Sequence, residues 1–326
     1  MAAEGDNIVR FTYTGADDEW IDGEATHITI AEDCTVVRAR AFRNHRNIVE
    51  VICHENVEEI EYDAFYLCRS LKRVIMPGVK IIDDECEFEG CDALEDVECD
   101  KLEIIGWHAF SSCTSLRRIN SPSARVVVAV AFAGCEALSD VKFGSKLEEI
   151  EEFAFWDCIN LERITIPFKG GLIMEDAAFI WCNNLRQVDL IEGELHETIA
   201  SLQLAEWKNE MNQEIDSINQ ILPNASAGYY INDDEKDPGE KALEIRRWIR
   251  SVLHKIIQYK DKHQRLLNEA ATILELALPN DIVRNKVLPF LELPPYTFEV
   301  GDDDDDEDSD DDTQSSESSV GDEEEE

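Results

Sequence analysis

The chain has 326 residues, 44% of them apolar, and carries 72 Asp and Glu against 30 Lys and Arg, a net charge of −42. This length accommodates two domains, and the apolar fraction is sufficient for a sizeable core. The strong negative charge argues against nucleic acids and anionic membranes as partners and favours basic proteins.

Residues 1–24 are expected to cap the fold that follows them. They lack the basic start and the apolar core of a secretory signal peptide. The longest apolar run, Val126 to Ala133, is too short to span a bilayer. We therefore expect a cytoplasmic or nuclear protein that is not secreted, in which the ten cysteines are reduced.

Residues 25–191 contain one pattern repeated seven times. A Phe recurs every 22 to 24 residues, preceded by Ala in six of seven copies and followed three positions later by Cys in six of seven. Leu or Ile stands six residues after each Phe, and Val or Ile nine residues after it. The seven aromatic residues are Phe42, Phe65, Phe88, Phe110, Phe132, Phe155 and Phe179. Such a period predicts an α/β repeat solenoid that contributes one short parallel strand per turn.

Each repeat divides into a strand and an arc. The segment L-x-x-V-x-I, for example Leu71 to Met76, is predicted to be the strand, with alternate side chains in the core. Pro77, Pro122 and Pro167 follow three of these strands and are expected to end them. The A-F-x-x-C-x-x-L half has apolar spacings of three and predicts a short helical or 3₁₀ arc.

The pattern resembles the BspA-like leucine-rich repeat, whose signature is close to I-x-x-x-A-F-x-x-C-x-x-L-x-x-V-x-I-P. The match is most complete in residues 147–167, LEEIEEFAFWDCINLERITIP. The resemblance implies a leucine-rich-repeat fold and a binding role, because members of that family are mostly described as adhesion or binding proteins. The third repeat departs from the signature at Asp83 and Glu87, which predicts a local irregularity.

The recurring cysteines allow two interpretations. Stacked repeats bring equivalent residues close to disulfide range, whereas a small buried thiol can also fill the same notch in every turn. We favour buried thiols. No C-x-x-C motif occurs and no His lies at ligand spacing from these residues, so we expect no metal site.

The strand positions that point outward predict a binding surface on the concave face of the solenoid. The third position of each strand alternates in charge at every step from Glu50 to Arg163. The predicted protein-binding residues are Glu50, Ile52, Arg73, Ile75, Asp96, Arg118, Asn120, Asp140, Lys142, Arg163 and Thr165. The alternation is compatible with a device that fixes the register of the repeats, with a docking surface for a protein or peptide, or with both.

Four apolar residues late in the array stand outside the repeat columns: Phe153, Trp156, Ile180 and Trp181. We predict that they meet the helical segment that follows and cap the open end of the core, because an uncapped turn exposes apolar surface. The alternative is an exposed site for a partner.

Residues 192–300 are predicted to be helical. Apolar residues recur at helical spacing from Leu195 to Leu222 and again from Gly239 to Leu276, on either side of a loop. Two long helices joined by a loop predict an antiparallel hairpin that packs within the chain. The alternative is a coiled coil with a second molecule, and the oligomeric state is open.

Residues 301–326 hold 16 acidic and no basic residues and predict a disordered tail. Ser309 and Ser319 each precede an acidic residue by three positions and are candidate phosphorylation sites. A solenoid joined to an acidic tail is similar in layout to the leucine-rich acidic nuclear phosphoproteins, which act on histones. This similarity implies, as an alternative function, chaperone-like binding of basic proteins.

The sequence contains no phosphate-binding loop and no G-x-S-x-G or H-E-x-x-H motif. We expect neither an enzyme nor a cofactor. The function predicted from the residues is that of an intracellular scaffold that binds a protein or peptide through the concave face.

Overall fold

The computed structural model describes residues 8–16, 19–82, 85–191, 205–232 and 235–290. Residues 192–204, at the start of the predicted helical segment, and the acidic tail with Ser309 and Ser319 lie outside the described residues. The predicted fold class is confirmed, because a solenoid of parallel strands precedes a pair of helices. The limits of the four predicted regions stay predictions.

The longer strands of successive turns form the first sheet. They are β1 (Arg10–Tyr13), β2 (His27–Ile30), β4 (Glu50–Ile52), β6 (Arg73–Ile75), β8 (Asp96–Glu98), β10 (Arg118–Ser121), β12 (Asp140–Phe143), β14 (Arg163–Ile166) and β16 (Gln187–Leu190). All neighbours pair in parallel, and equivalent residues lie side by side, as Glu50 does with Arg73. The pairing is interrupted between β8 and β10. This break follows the third repeat, where Glu87 replaces the Ala of the pattern.

A second sheet runs along the other side of each turn. It consists of two-residue parallel strands: β3 (Val36–Val37), β5 (Glu59–Ile60), β7 (Ile81–Ile82), β9 (Ile104–Ile105), β11 (Val126–Val127), β13 (Glu149–Ile150) and β15 (Ile173–Met174). The sequence pattern does not predict this sheet, since two residues are too few to show an alternation.

The phenylalanines form one file through the core between the two sheets. Consecutive rings from Phe42 to Phe179 lie 4.9 to 5.5 Å apart between centroids and within 9° of parallel. Each ring is at most 1% exposed. Tyr13 covers the N-terminal end of the file with an edge-on contact of 5.1 Å. The predicted stacking of equivalent side chains is therefore confirmed.

The arcs differ from the predicted helical conformation. One arc is a 3₁₀ helix, Asp176–Phe179, and the others are successive turns. The residues two positions before and two positions after the Phe adopt left-handed backbone conformations, as Asp63 and Leu67 do around Phe65, with φ of 57° at both. A left-handed residue every four positions interrupts α-helical hydrogen bonding. The backbone N–H groups instead reach the next turn, as that of Phe65 does to the carbonyl of Glu87 at 2.9 Å.

The cysteine column has a polar role that the sequence pattern does not reveal. Each of the six thiols donates a hydrogen bond to the carbonyl oxygen of the Phe in the preceding repeat. The Sγ–O distances are 3.0 to 3.3 Å, for example 3.2 Å from Cys113 to Phe88. All ten cysteines are free. Burial raises the pKa of the column thiols, which keeps the donor proton in place.

Two antiparallel helices close the C-terminal end of the solenoid. They are α1 (Ala205–Ile221) and α2 (Lys241–Glu275). Trp207 near the start of α1 stacks on Tyr259 of α2 at 5.0 Å, and the Trp248 indole donates to the carbonyl of Glu214 at 3.0 Å. The buried side chains of both helices belong to the same apolar core as the phenylalanine file. Leu266, one of the apolar residues between Gly239 and Leu276, is 47% exposed and lies outside the packed side of α2.

The connection between α1 and α2 is more ordered than the predicted loop. It contains an antiparallel hairpin formed by β17 (Tyr229–Asn232) and β18 (Glu235–Asp237). After α2, short helical turns occupy Asn280–Phe290. They return to α2, since Val283 is fully buried and Arg284 forms an ion pair of 2.8 Å with Glu275.

Candidate protein-interaction site

The outward face of the first sheet carries the predicted charge column in register. Glu50, Arg73 and Asp96 are neighbours on β4, β6 and β8. Arg118, Asp140 and Arg163 are neighbours on β10, β12 and β14. We call the column from Glu50 to Arg163 the charge ladder. Parallel strands lie about 4.8 Å apart, so each charge has its nearest ladder neighbours within reach.

The N-terminal half of the charge ladder is internally paired. The Arg73 guanidinium lies 3.8 Å from Glu50 and 3.1 Å from Asp96, and also 2.5 Å from Glu98, two residues further along β8. The hydrogen bond that Arg73 donates to Glu98 is the main reason why the pKa of Arg73 is raised. These three carboxylates surround one cation, so this half is saturated with intramolecular partners.

The C-terminal half of the charge ladder is open. Arg163 turns to Gln187 at 2.9 Å and to Asp189 at 3.4 Å. Among the described residues Arg118 forms no ion pair, and Asp140 Oδ1 is buried without a hydrogen-bond partner. These side chains line a polar depression of about 360 Å³ together with Ser139, Glu162, Arg186 and Gln187. An unsatisfied acceptor beside an unpaired cation is suited to a ligand that brings both a donor and an acceptor.

The residues that flank the charge ladder differ in character along its length. Ile52 is 37% exposed and Ile75 is half-buried. Beside the open half stand Asn120, Lys142 and Thr165, of which Asn120 and Lys142 are exposed and Thr165 is half-buried. The flank next to the paired half therefore contains two isoleucines and Glu98, whereas the flank next to the open half is polar.

Ion pairs between equivalent positions also occur elsewhere on the solenoid. Glu58 pairs with Lys80 at 3.1 Å and Arg125 with Glu148 at 2.8 Å, and the same column holds Glu103 between them. Such pairs disfavour a slip by one repeat, because a slip would place like charges together. The charge alternation thus acts in register on both sheets of the solenoid.

The late aromatic residues contact the hairpin between α1 and α2. Tyr230 lies 5.0 Å from Phe153 and 6.0 Å from Trp156, measured between ring centroids. The ring centroids of Trp156 and Trp181 are 5.8 Å apart, and the backbone N–H of Trp181 donates to the carbonyl of Ala227 at 2.9 Å. Ile180 is fully buried. This cluster covers the side of the last repeats with residues of the following segment.

One buried cation joins the solenoid to the helices, and the sequence pattern does not single it out. Lys241, 2% exposed, donates from Nζ to the carbonyl of Leu185 at 2.8 Å and to that of Leu222 at 2.9 Å. Burial lowers the pKa of this lysine. Its position at the first residue of α2 gives no periodic signal, so only the fold reveals that it satisfies carbonyls on both sides of the junction.

The described ranges contain neither a cluster of potential metal ligands nor a helix suited to span a membrane. No three His, Cys, Asp or Glu side chains there gather as metal ligands would. Every helix in the same ranges is too short or too polar to cross a membrane.

The comparisons with known proteins agree with the repeat architecture. A family model described as a BspA type leucine rich repeat region matches residues 21–128 and 125–206 in six copies. No curated protein matches the chain.

Several solved structures are similar to the chain, including the following three leucine-rich repeat proteins. A leucine-rich repeat protein from Bacteroides ovatus is 27% identical over 52% of this chain and 43% of that one, with a TM-score of 0.44. The T. pallidum leucine-rich repeat protein is 29% identical over 44% and 72%, with a TM-score of 0.37. A leucine-rich repeat protein from Eubacterium ventriosum is 21% identical over 52% and 45%, with a TM-score of 0.43. The chain thus spans less than half the length of the Bacteroides and Eubacterium proteins.

Leucine-rich repeat solenoids are generally protein-interaction scaffolds without enzymatic activity. The matched stretches cover more than half of the sequence, and the file of phenylalanines follows the same period. The chain belongs to the BspA type leucine-rich repeat family.

Proposed function

We propose that the chain is an intracellular scaffold that binds a protein or peptide through the outward face of the first sheet, centred on Arg118, Asp140 and Arg163. The observation that carries this proposal is the buried, unsatisfied Oδ1 of Asp140 in the described structure. Leaving such an acceptor without a donor costs about 1–3 kcal/mol, which a bound partner can recover.

The chemistry of the open half favours a polypeptide over other ligands. Arg118 can donate hydrogen bonds to a carboxylate or a carbonyl, and Asp140 can accept one from an N–H or an ammonium group, within about one strand spacing. A polypeptide presents donors and acceptors at this spacing. The paired Arg73 half is expected to contribute less binding energy, because a partner would have to displace existing ion pairs.

A double substitution tests the site. Arg118→Ala with Asp140→Ala removes both unpaired groups without changing the net charge, and its matched control is Glu58→Ala with Lys80→Ala on the second sheet. Partners recovered with the native chain are identified by mass spectrometry, and the affinity of the main partner is measured directly. The site double variant should weaken binding at least tenfold and the control less than twofold. Equal affinities for both variants would contradict the proposal.

The alternative function, capture of basic proteins by the acidic tail, is favoured by the composition of residues 301–326 alone. It is separated from the scaffold function by a full-length chain in which the 16 acidic residues of the tail are replaced by Asn and Gln. The scaffold function predicts unchanged recovery of partners. Histone capture that disappears with the tail charge would support the alternative.

A further inference from the structure

The exposed side of α2 is basic, in contrast to the rest of the molecule. Residues 241–265 contain eight Lys and Arg against two acids, a net charge of +6, whereas the whole chain carries −42. Eight of the 30 basic residues thus lie within 25 positions of one helix. The first 25 residues of α2 are therefore strongly positive although the whole chain is strongly negative.

Several of these basic groups contact other residues of the chain. Lys241 is buried, Arg246 pairs with Asp176, Arg247 with Glu244, and Lys255 with Glu214. The paired Arg247 stays 61% exposed and lies on the outer side of the helix. An exposed row remains opposite the buried side of α2, which we call the basic stripe: Arg247, Arg250, His254, Lys262 and Arg265.

Parts of the basic stripe have no local counter-charge. Arg265 and His254 form no ion pair with any described residue, and Lys262 makes a cation–π contact of 5.3 Å with Tyr259 of its own helix. Asp261 is the single acid of the exposed row between Arg247 and Arg265. An exposed row of cations at helical spacing attracts an extended polyanion.

We propose that the acidic tail, residues 301–326, binds in cis along the basic stripe of α2. The tail supplies 16 carboxylates and no cation. A second basic cluster, residues 38–46 of the solenoid, is shorter, and its Arg40 and Arg43 already pair with Asp63. Charge complementarity therefore favours the longer basic stripe of α2 as the binding face for the tail.

The geometry of the chain places the tail within reach. The turns at Asn280–Phe290 return to the end of α2, where Arg284 pairs with Glu275. Arg265 lies about 15 Å and Arg247 about 42 Å from that end at 1.5 Å per helical residue. The 36 residues from 291 to 326 extend to at most about 120 Å. Tethering at this distance gives the tail an effective concentration of about millimolar at the stripe.

Occupation of the basic stripe has a consequence for other ligands. A polyanion that binds α2 must first displace the tail, so the tail excludes weak acidic ligands. Each exposed ion pair contributes little by itself, and the interaction depends on several pairs and on low ionic strength. This inference concerns a helix face and is independent of the site proposed on the first sheet.

The test uses full-length chains and a fluorescent peptide with the sequence of residues 301–326, whose binding is followed by anisotropy. One chain is native, and a second has its 16 tail acids replaced by Asn and Gln. A third combines that neutral tail with Arg250→Glu, Lys262→Glu and Arg265→Glu. The matched control combines the neutral tail with Arg38→Glu, Arg46→Glu and Arg117→Glu, three exposed solenoid arginines without an ion pair in the described structure.

The neutral-tail chain should bind the peptide at least tenfold more tightly than the native chain, and 0.5 M salt should abolish this binding. The α2 substitutions should reduce it at least tenfold, and the solenoid substitutions less than threefold. Circular dichroism verifies that each variant is folded. Equal peptide binding by the native and neutral-tail chains, absent binding by both, or equal losses in the two triple variants would overturn the proposal.

Discussion

The solenoid interior and its junction with the helices are both buried, but they are built from different kinds of contact. Inside the solenoid the same contacts recur at every turn: stacked phenylalanines, and thiols that donate to the carbonyl of the preceding repeat. At the junction each contact occurs once, as for the hydrogen bonds that Lys241 donates to Leu185 and Arg246 donates to Met174. Recurring contacts leave columns in the sequence, whereas single contacts leave no pattern.

The two regions also distribute their energy differently. A repeat contacts only its neighbouring repeats, so the loss of one phenylalanine ring destabilises mainly the adjacent turns. At the junction, the ammonium group of Lys241 donates hydrogen bonds to one carbonyl of the solenoid and to one carbonyl at the end of α1.

Phe110→Ala should lower the free energy of unfolding by about 3–5 kcal/mol, because it opens a cavity in the middle of the ring file. Chemical denaturation followed by circular dichroism measures the change. Trp107→Ala in the same repeat removes a larger side chain that is 42% exposed, and should cost less than about 1 kcal/mol. Similar losses for the two variants would mean that the file is not the core of the solenoid.

Lys241→Met should lower the free energy of unfolding by about 1–3 kcal/mol, because two buried carbonyls lose their donor. Hydrogen exchange should increase in α1 and α2 and much less in the central repeats. Lys255→Met, which removes a half-buried ion pair with Glu214, should cost less than about 1 kcal/mol. Uniform exchange throughout the chain would refute a local role for Lys241.

The lowered pKa of Lys241 adds a pH signature to this comparison. The folded lysine loses its proton at lower pH than the unfolded one, whose pKa is near 10.5. The unfolded state therefore binds more protons between the two values, so this residue adds stability as the pH rises through that window. The contribution should be missing from Lys241→Met.

The column thiols should produce the opposite pH dependence. Burial raises the pKa of Cys113 above its ordinary value near 9.0, so the unfolded thiol ionises first and the stability falls as the pH rises above 9. The Cys113→Ser variant lacks this thiol, so its free energy of unfolding should not show this decrease. The difference in the free energy of unfolding between the native chain and the variant should therefore shrink by about 1.4 kcal/mol per pH unit above 9. Urea unfolding under reducing conditions at pH 7 to 10 measures it. Thr114→Ala, a control without a titrating group, should shift stability equally at every pH.

The sequence by itself determined the solenoid, the identity of its interior columns and the register of the charge ladder. A large apolar residue that recurs with one period can be buried in every turn only if equivalent positions of successive turns lie side by side. Phe65 and Phe88 were therefore expected to be neighbours, and they are. The same reasoning predicted two antiparallel helices, because their apolar stripes have the helical period.

Tertiary structure alone decided which ladder charges are paired, since Arg73 can reach Glu98 while Arg163 turns towards Asp189. It also decided the second sheet, the hairpin that meets Phe153, and the burial of Lys241 at the junction. These features depend on side-chain directions and on contacts between elements distant in sequence. Such contacts occur once in the molecule, so they produce no periodic pattern in the sequence from which they could be predicted.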